Sequence, residues 1–370
     1  MRILLTGGGT GGHIYPALAI ADALKSRYPQ VEILYVGTKR GLESSIVPKH
    51  GYQFQTVEVE SLPRKINLQL FKSLAKAAKG CKEAKEVIKN FRPDVVLGTG
   101  GYVCGPVVLE AHALHIPTVI HEQNAFPGVT NKLLARKVDQ VLLNFDSARK
   151  YFPSRAQIKV TGLPVRSEVL QVKREESAAY FGLDPNKKTL LVSGGSRGAK
   201  SINQAMANSY RWLLKNDELQ IIHSTGTKWY EDTLREIEAS GVSLEKYQDR
   251  VKIYPYVDHM EYGLRAADLA VARAGATNLA EISACGLPAI LIPFPFASEN
   301  HQQFNAESLV NVGAAKMILD QDLTEITLSE SIDELMKNDE KRKAMGEKSK
   351  HQYNKDSLQM IVDLLEKYLV

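Results

Sequence analysis

The residue with the clearest chemical potential is His13, which closes a glycine-rich turn near the N-terminus. The turn, residues 6–13, follows the apolar run Met1–Leu5 and precedes a predicted helix whose first turn would contain Pro16. Glycines let a backbone approach a ligand closely, and the N–H groups that start the helix point into the same space, so the turn predicts an anion site. The positive end of the helix dipole disfavours imidazolium, so we expect His13 to be neutral and able to accept a proton. The alternative is a histidine that only holds the turn by a hydrogen bond.

Two nucleotide-binding interpretations of this turn are disfavoured by its surroundings. The spacing Gly7-x-Gly9-x-x-Gly12 matches the dinucleotide fingerprint, which also needs an acidic residue at the end of the second strand. Here the second strand, Ile33–Val36, ends in Gly37-Thr38. A P-loop would need a Lys-Ser or Lys-Thr pair after the glycines, and none follows them. A purely structural tight turn stays open as an alternative.

The first half of the chain holds a second glycine-rich turn and a polar strand end. Residues 98–106, with Gly100, Gly101 and Tyr102, follow the apolar run Val95–Leu97 and open another predicted helix, which adds to the anion-binding capacity. His121-Glu122-Gln123-Asn124 ends the predicted strand Pro117–Ile120. We therefore expect four polar side chains at the carboxyl edge of that sheet.

In the second half, a third glycine-rich turn suits a diphosphate. Residues 193–199 contain Gly194, Gly195 and Ser196, whose N–H groups and hydroxyl can bind phosphate oxygens, and Arg166 can bind two more with its guanidinium. Ser196 is equally suited to act as the N-cap of the next helix.

Two further segments of the second half could bind a sugar nucleotide. Glu281 lies in the first turn of a predicted helix after Arg273, where its carboxylate could accept hydrogen bonds from both ribose hydroxyls. The spacing Asn278-x-x-Glu281 is also that of a capping box, and both interpretations stay open. Gln302 and Gln303 follow the next strand and could form hydrogen bonds with sugar hydroxyls, although paired glutamines are also ordinary surface residues.

These segments are spaced by an alternation of short apolar runs and helical stretches. The alternation predicts parallel sheets with helices on both faces, in an α/β chain. The predicted strands are Arg2–Leu5, Ile33–Val36, Asp94–Gly98, Pro117–Ile120, Gln140–Leu143, Thr189–Ser193, Leu219–Ser224, Val251–Tyr254, Leu269–Ala272 and Ala289–Pro293.

The two halves begin alike, each with a strand that runs into glycines, which predicts one architecture used twice. The expected domains are residues 1–164 and 165–353, joined near Gly162-Leu163-Pro164-Val165-Arg166. Ligands of open α/β sheets bind at the carboxyl ends of the strands, so two such domains are expected to face each other across a cleft. The amphipathic helix in residues 354–370 could stay with the second domain or pack back on the first.

Composition narrows the class of protein. The chain has 370 residues and a formal charge of +5, without a basic tract interleaved with aromatics, so no nucleic-acid partner is expected. Three scattered cysteines, without a C-x-x-C pair, argue against a disulfide framework and a zinc site. Asp320-Gln321-Asp322 lies far from the glycine turns, and His112 and His115 have no convincing third ligand, so we expect no metal. No signal peptide or membrane-spanning run is predicted.

A basic amphipathic segment lies between Arg64 and Lys89. Lysines alternate there with apolar residues, most densely from Leu68 to Lys82. Such a segment can rest on anionic lipid headgroups, with its apolar face dipped in. An ordinary surface helix with a solvated lysine face has the same pattern.

Taken together, six motifs in order resemble one family, the bacterial undecaprenyldiphospho-muramoylpentapeptide beta-N-acetylglucosaminyltransferases, known as the MurG family. The motifs are Gly9-Thr10-Gly11-Gly12-His13, His121-Glu122-Gln123-Asn124, Gly162-Leu163-Pro164-Val165-Arg166, Gly194-Gly195-Ser196-Arg197-Gly198-Ala199, Arg273 to Glu281 and His301-Gln302-Gln303. The resemblance implies a GT-B fold of two Rossmann-like domains. It also implies inverting transfer of N-acetylglucosamine from UDP-N-acetylglucosamine to the muramoyl 4-hydroxyl of lipid I, which gives lipid II for peptidoglycan synthesis.

The resemblance also implies roles for individual residues, with His13 as the catalytic base. The acceptor diphosphate would bind at Gly9, Gly100, Gly101 and Tyr102. The donor would bind Arg166 and Ser196 through its diphosphate, Glu281 through its ribose and the Val257 backbone through its uracil. The remaining implied donor contacts are Thr10, Gly11, Gly12, Asn124, Ala276, Thr277, Asn278, Gln302 and Gln303.

The resemblance implies a peripheral membrane protein on the cytoplasmic face of the cell membrane, which favours the lipid interpretation of the Leu68 to Lys82 region. It also implies that no cofactor is needed. Leu163 stands where the family often has Asn, and Thr277-Asn278 where it often has Leu-Thr. A related GT-B lipid-acceptor glycosyltransferase and a UDP-sugar 2-epimerase of similar architecture are the alternatives.

Overall fold

The computed structural model describes residues 1–60 and 68–369, without the side chains of residues 68–75. The chain forms two compact units: Met1–Pro164 with Asn354–Val370, and Val165–Tyr353. Each contains one parallel sheet with helices packed on it. The predicted α/β class with two Rossmann-like domains is confirmed.

The sheet of the first unit has seven strands in the order β3-β2-β1-β4-β5-β6-β7. The strands are β1 (Arg2–Gly7), β2 (Glu32–Gly37), β3 (Gln53–Thr56), β4 (Val95–Gly100), β5 (Thr118–Glu122), β6 (Gln140–Leu143) and β7 (Ile158–Val160). The helices are α1 (Gly11–Arg27), α2 (Glu43–Lys49), α3 (Leu68–Phe91), α4 (Cys104–Ala113) and α5 (Val129–Leu134).

The central strand β1 is buried on both faces. Ile3 and Leu5 belong to the apolar cluster shared with α1, whereas Leu4 belongs to the cluster shared with α4. Successive side chains of a strand point to opposite faces, so one continuous apolar run supplies both cores. This burial fixes the strand that leads into the first glycine turn.

The sheet of the second unit has six strands in the order β10-β9-β8-β11-β12-β13. They are β8 (Lys188–Ser193), β9 (Leu219–Ser224), β10 (Val251–Tyr254), β11 (Leu269–Ala272), β12 (Ala289–Leu291) and β13 (Ala315–Met317). The helices are α6 (Ser167–Gln171), α7 (Arg174–Phe181), α8 (Lys200–Leu213), α9 (Tyr230–Ala239), α10 (Met260–Ala266), α11 (Ala276–Ala284), α12 (His301–Val310), α13 (Glu325–Lys337) and α14 (Asp339–His351).

Every predicted strand is present within a residue or two of its expected bounds, and β3, β7 and β13 were not predicted. These three are sheet edges of three or four residues with largely incomplete burial. An edge strand lacks the long apolar run that burial on both faces imposes on a central one, so it carries little signal in the sequence.

The last helix, α15 (Ser357–Glu366), packs on the first unit, which settles a point that the sequence left open. Ile361 and Leu365 are fully buried in the cluster that also contains α1. At the rim, Arg27 pairs with Asp363 and with Glu366. The apolar stripe of α15 therefore covers one face of the first sheet.

The described part of the basic segment lies in α3, where two of the lysines have acidic partners. Lys76 pairs with Glu60, and Lys79 pairs with Glu58. The apolar positions of the lipid prediction, Leu68 to Leu74, lie outside the described side chains. No described helix combines the length and the apolar composition needed to cross a bilayer.

We predict that Ile361→Ala destabilises the first unit by about 2–5 kcal/mol, the usual cost of emptying a buried aliphatic site. Urea unfolding followed by far-ultraviolet circular dichroism measures the change. Lys367→Ala, at an exposed position beside α15, is the matched control and should change stability by less than about 0.5 kcal/mol. Trp212 and Trp229 both lie in the second unit, so the tryptophan signal should shift less than the dichroism signal. An unchanged dichroism midpoint would show that α15 does not stabilise this unit.

Candidate functional site

In the first unit, β1 ends at Gly7 and α1 already begins at Gly11. His13 is therefore the third residue of α1, and Pro16 lies in the second turn rather than the first, contrary to the sequence prediction. The reason is a pair of helical hydrogen bonds, because the N–H groups of His13 and Ile14 both donate to the Thr10 carbonyl, over 3.1 and 3.3 Å. His13 still lies in the first helical turn.

The imidazole of His13 is oriented by the turn itself. Its Nδ1 lies 2.9 Å from the Gly8 carbonyl oxygen and 3.3 Å from Thr10 Oγ1. A carbonyl oxygen can only accept, so Nδ1 carries the hydrogen and Nε2 keeps the lone pair. Within the described residues, Nε2 makes no hydrogen bond to the protein, and the side chain is half-buried. A neutral imidazole held in this way can accept a proton at Nε2.

The first and second glycine turns meet, as expected for loops that follow neighbouring strands of a parallel sheet. A Cβ atom placed on Gly100 would lie 3.1 Å from His13 Nε2, and one on Gly9 would lie 3.6 Å from the Tyr102 ring. The Gly8 N–H donates to the Gly100 carbonyl over 3.2 Å. The structure therefore brings together the predicted base and the predicted diphosphate residues of this unit.

Two of the N–H groups assigned to the acceptor diphosphate already have protein partners. Gly9 donates to the carboxylate of Glu43 over 3.1 Å, and Gly100 donates to Cys104 Sγ over 3.1 Å. Neither group is then available to a diphosphate in this conformation. Burial raises the pKa of the Cys104 thiol to about 12, so this sulfur stays neutral. An anion at these turns has to rely on Gly101, Tyr102 and the start of α1.

Sequence analysis missed Glu43, which is fully buried beneath the first turn. A single acidic residue at the start of a short helix carries no chemical signature of its own. The glycines that surround it are the available signal, since a Cβ atom on Gly8, Gly37 or Gly41 would overlap its side chain.

The polar end of β5 is an internal hydrogen-bond network. His121 Nε2 donates to the Gly162 carbonyl over 2.9 Å, and burial lowers the pKa of this imidazole to about 4, so it stays neutral. The Glu122 carboxylate accepts from the backbone and side-chain amides of Asn124, and also from Gly128 and Asn131. These bonds fix the orientation of Asn124, a predicted donor contact.

In the second unit, the turn after β8 is shaped by a close approach to a neighbouring loop. Gly198 has φ +68°, and a Cβ atom on it would lie 2.0 Å from the Thr225 carbonyl oxygen. The next helix begins at Lys200 with Ala199 as its N-cap, so the alternative role of Ser196 as N-cap is wrong. Ser196 is exposed instead, which leaves its hydroxyl accessible to a ligand.

Arg166 and Glu281, assigned to different parts of the donor, are paired with each other. Arg166 Nε donates to Glu281 Oε1 over 2.9 Å, and its Nη1 lies 3.6 Å from Glu261 Oε2. Glu281 is 7% exposed. Burial raises the pKa of its carboxyl, and the Arg166 charge partly offsets that rise.

The start of α11 contradicts the capping-box interpretation of its sequence. Its N-cap is Gly275, and the Asn278 side chain donates to the Arg273 carbonyl over 3.0 Å. Asn278 and Glu281 therefore do not form a capping box, and that alternative is wrong. In the same turn, Thr277 Oγ1 is buried and has no hydrogen-bond partner among the described residues.

The two glutamines of α12 differ in what they can offer a ligand. Gln302 Oε1 accepts from the N–H groups of Ala274 and Phe294, over 3.2 and 3.0 Å, which directs its Nε2 group away from them. Gln303 is engaged at both ends, by Glu307 and by Asn300. The arrangement favours Gln302 over Gln303 as a donor to a sugar hydroxyl. The Val257 side chain is buried in the loop after β10.

Comparisons with known proteins identify the family. Residues 3–143 match the glycosyltransferase family 28 N-terminal domain, and residues 189–361 match its C-terminal domain. The UDP-N-acetylglucosamine--N-acetylmuramyl-(pentapeptide) pyrophosphoryl-undecaprenol N-acetylglucosamine transferase of Desulforamulus reducens is 51% identical over 100% of this chain and 99% of its own. The chain belongs to this transferase family. A family member from Halothermothrix orenii is 47% identical over 99% and 98% of the two chains.

Solved structures agree in fold. The crystal structure of Acinetobacter baumannii MurG, 28% identical, covers 99% of both chains with a TM-score of 0.80. A putative UDP-N-acetylglucosamine 2-epimerase from Listeria monocytogenes, 12% identical, covers 100% of this chain and 96% of its own with a TM-score of 0.69. The fold alone thus does not separate transferases from epimerases, whereas the full-length identity places the chain in the transferase family.

We predict that Gly198→Ala destabilises the second unit much more than Gly195→Ala does. Both glycines have positive φ, so both variants carry the backbone strain of about 1 kcal/mol. Only at Gly198 does the new methyl group also meet backbone, since nothing lies within 4 Å of the Gly195 position. Urea unfolding followed by tryptophan fluorescence compares the two variants. Equal losses would show that the close approach to Thr225 does not constrain this turn.

Proposed function

We propose that this chain transfers N-acetylglucosamine from UDP-N-acetylglucosamine to the muramoyl 4-hydroxyl of undecaprenyl-diphospho-muramoylpentapeptide. The product is lipid II, the disaccharide precursor of peptidoglycan. The proposal is carried by one observation: the whole chain is 51% identical to the Desulforamulus reducens protein whose name describes this N-acetylglucosamine transfer. The proposal extends to inversion at the anomeric carbon and to the residues that perform it.

In the proposed reaction, His13 is the general base. Nε2 takes the proton of the acceptor hydroxyl as its oxygen attacks the anomeric carbon of the donor, and the bond from that carbon to the UDP oxygen breaks. The Nδ1–H bond to the Gly8 carbonyl supports this role because it leaves the lone pair on Nε2.

Donor binding in the second unit requires the Arg166–Glu281 pair to open. We assign the ribose hydroxyls to Glu281 and the diphosphate to Arg166, with Ser196 and the N–H groups of its turn. Glu261 then keeps a carboxylate near the guanidinium when Glu281 turns to the ribose. Arg166 and the backbone N–H groups would also neutralise the departing diphosphate. The proposed contacts further include Val257 for uracil and Ala276, Thr277, Asn278, Gln302 and Gln303 for the rest of the donor.

We assign the acceptor diphosphate to the two glycine turns of the first unit, with Gly101 and Tyr102 as the main contacts. Thr10, Gly11, Gly12 and Asn124 complete the proposed donor contacts from this unit. The first N–H groups of α1 have no partner within the helix, which suits them to phosphate oxygens. An acceptor on an undecaprenyl chain lies in a bilayer, so we also propose peripheral attachment to the cytoplasmic face of the cell membrane.

The transferase hypothesis predicts that UDP release from UDP-N-acetylglucosamine depends on a short-chain lipid I analogue and is accompanied by a disaccharide product. His13→Ala should lower turnover by at least about 100-fold, the scale of general-base catalysis, while the affinity for UDP stays the same. Coupled UDP detection and calorimetric titration with UDP measure the two quantities. His50→Ala is the control, because His50 is an exposed histidine of the same unit whose Nδ1 also bonds to a backbone carbonyl.

Acceptor-independent UDP release would contradict the transferase and favour an epimerase. Full activity of His13→Ala would remove His13 from the chemistry but leave the transfer reaction standing.

The membrane hypothesis predicts that Leu70→Glu with Phe71→Glu reduces binding to vesicles that contain phosphatidylglycerol. The change places two charges on the face expected to enter the headgroup layer. Co-sedimentation measures the bound fraction. Val312→Glu with Ile326→Glu, at exposed apolar positions of the second unit, gives the same change in net charge and should bind like the unchanged protein. Equal binding of all three proteins would exclude this face as the attachment site.

A further inference from the structure

The buried carboxylate of Glu43 lies where three parts of the first unit meet. Glu43 Oε1 accepts from the backbone N–H of Thr38 over 3.0 Å and from the Thr38 hydroxyl over 2.7 Å. Its Oε2 accepts from the N–H of Gly9 over 3.1 Å. Both carboxylate oxygens are thus acceptors, which is the only role that an ionised carboxylate can take.

The bond to Gly9 matters because of what lies on the other side of the same peptide group. The N–H of Gly9 and the C=O of Gly8 belong to one planar unit, in which the two groups point in opposite directions. The C=O of Gly8 accepts from His13 Nδ1. One peptide group therefore connects the Glu43 carboxylate to the imidazole of the proposed base.

This peptide group needs an external anchor. Glycine lies on both sides of it, and glycine populates positive and negative φ about equally, so the local backbone places little restriction on a flip. A flipped peptide would present the Gly9 N–H to His13. Nδ1 would then have to accept, the hydrogen would move to Nε2, and Nε2 would no longer have a lone pair for the acceptor hydroxyl.

We propose that Glu43 is a positioning residue that fixes the tautomer of His13 through the Gly8–Gly9 peptide. The acceptor-only carboxylate holds the Gly9 N–H, the Gly8 carbonyl is thereby directed at Nδ1, and Nε2 keeps its lone pair. The catalytic significance of this arrangement rests on the proposed function, but the arrangement itself does not.

The other polar side chains around this turn are bonded elsewhere, so they do not hold the Gly9 N–H. The Tyr35 hydroxyl donates to the Gly7 carbonyl, and Cys104 Sγ is engaged with the carbonyls of Thr6 and Gly100. Burial keeps both neutral, since it raises the pKa of each. The Gly101 backbone packs closely against the Gly8 carbonyl, since a Cβ atom on Gly101 would lie 2.4 Å from its oxygen.

Glu43→Gln tests the proposal with an isosteric side chain. A carboxamide has one acceptor oxygen, and the two donors of Thr38 retain it. Its NH₂ group then faces the Gly9 N–H, so two donors oppose each other and the flipped peptide becomes the favoured one. Thr38→Val is the matched control, because it removes one hydrogen bond from Glu43 and leaves the carboxylate opposite Gly9.

The tautomer is measured directly by nitrogen-15 spectroscopy of the whole protein with labelled histidine. The chain has nine histidines, and the His13 signals are identified by their absence in His13→Asn. We expect the hydrogen on Nδ1 in the unchanged protein and in Thr38→Val, and on Nε2 in Glu43→Gln. Turnover of Glu43→Gln should fall at least about 10-fold, within what a positioned base contributes, with KM for the donor unchanged. The double variant with His13→Ala should be no slower than His13→Ala alone.

A hydrogen on Nε2 in the unchanged protein overturns the proposal, and this measurement does not require the variant to fold. An unaltered tautomer in folded Glu43→Gln overturns it as well, because any loss of activity would then be structural. If the tautomer changes as expected but no transfer to lipid I is found in any form, the positioning role stands and the proposed function fails.

Discussion

The constraint on which the first unit depends is the common direction of its strands. All strands of the sheet are parallel, so the loops that follow β1 and β4 leave the same edge although they are far apart in the sequence. The direct pairing of these two strands brings the glycines of both loops into contact, as the bond from Gly8 to Gly100 shows. A side chain on Gly101 would collide with Gly8, so the packing of the two turns requires glycine there. The position of His13 follows from this packing.

A glycine-rich turn is often treated as a set of N–H groups open to an anion, and these turns are more selective. Gly9 donates to a carboxylate and Gly100 to a thiol, so part of the turn is held by the protein itself. A buried carboxylate directly beneath a turn also opposes an anion at the same N–H group. The protein thereby separates the N–H groups that maintain the loop from those that remain to bind a ligand.

The second unit keeps its charged groups satisfied in a different way. Arg166 and Glu281 form an ion pair; burial raises the pKa of the Glu281 carboxyl, and the Arg166 charge partly offsets that rise. A nucleotide that supplies a diphosphate and a pair of hydroxyls offers each member a new partner. The pair therefore offers a physical reason for the proposed division of labour between them: the donor would replace the hydrogen bond that each group loses when the pair opens.

The sequence by itself determined the two-sheet architecture, the positions of those strands that are buried on both faces, and the positions of the glycine turns. These features follow from local rules, because burial on two faces imposes apolar runs and tight turns impose glycine. Tertiary structure decided the rest. Glu43 reaches Gly9 only once β1 and β2 are paired, and the Arg166–Glu281 pair forms between segments distant in the chain. The sequence pointed to an imidazole next to glycines, but only the folded chain determined which of its nitrogens keeps the lone pair, because that depends on the direction of a single peptide group held from another strand's loop.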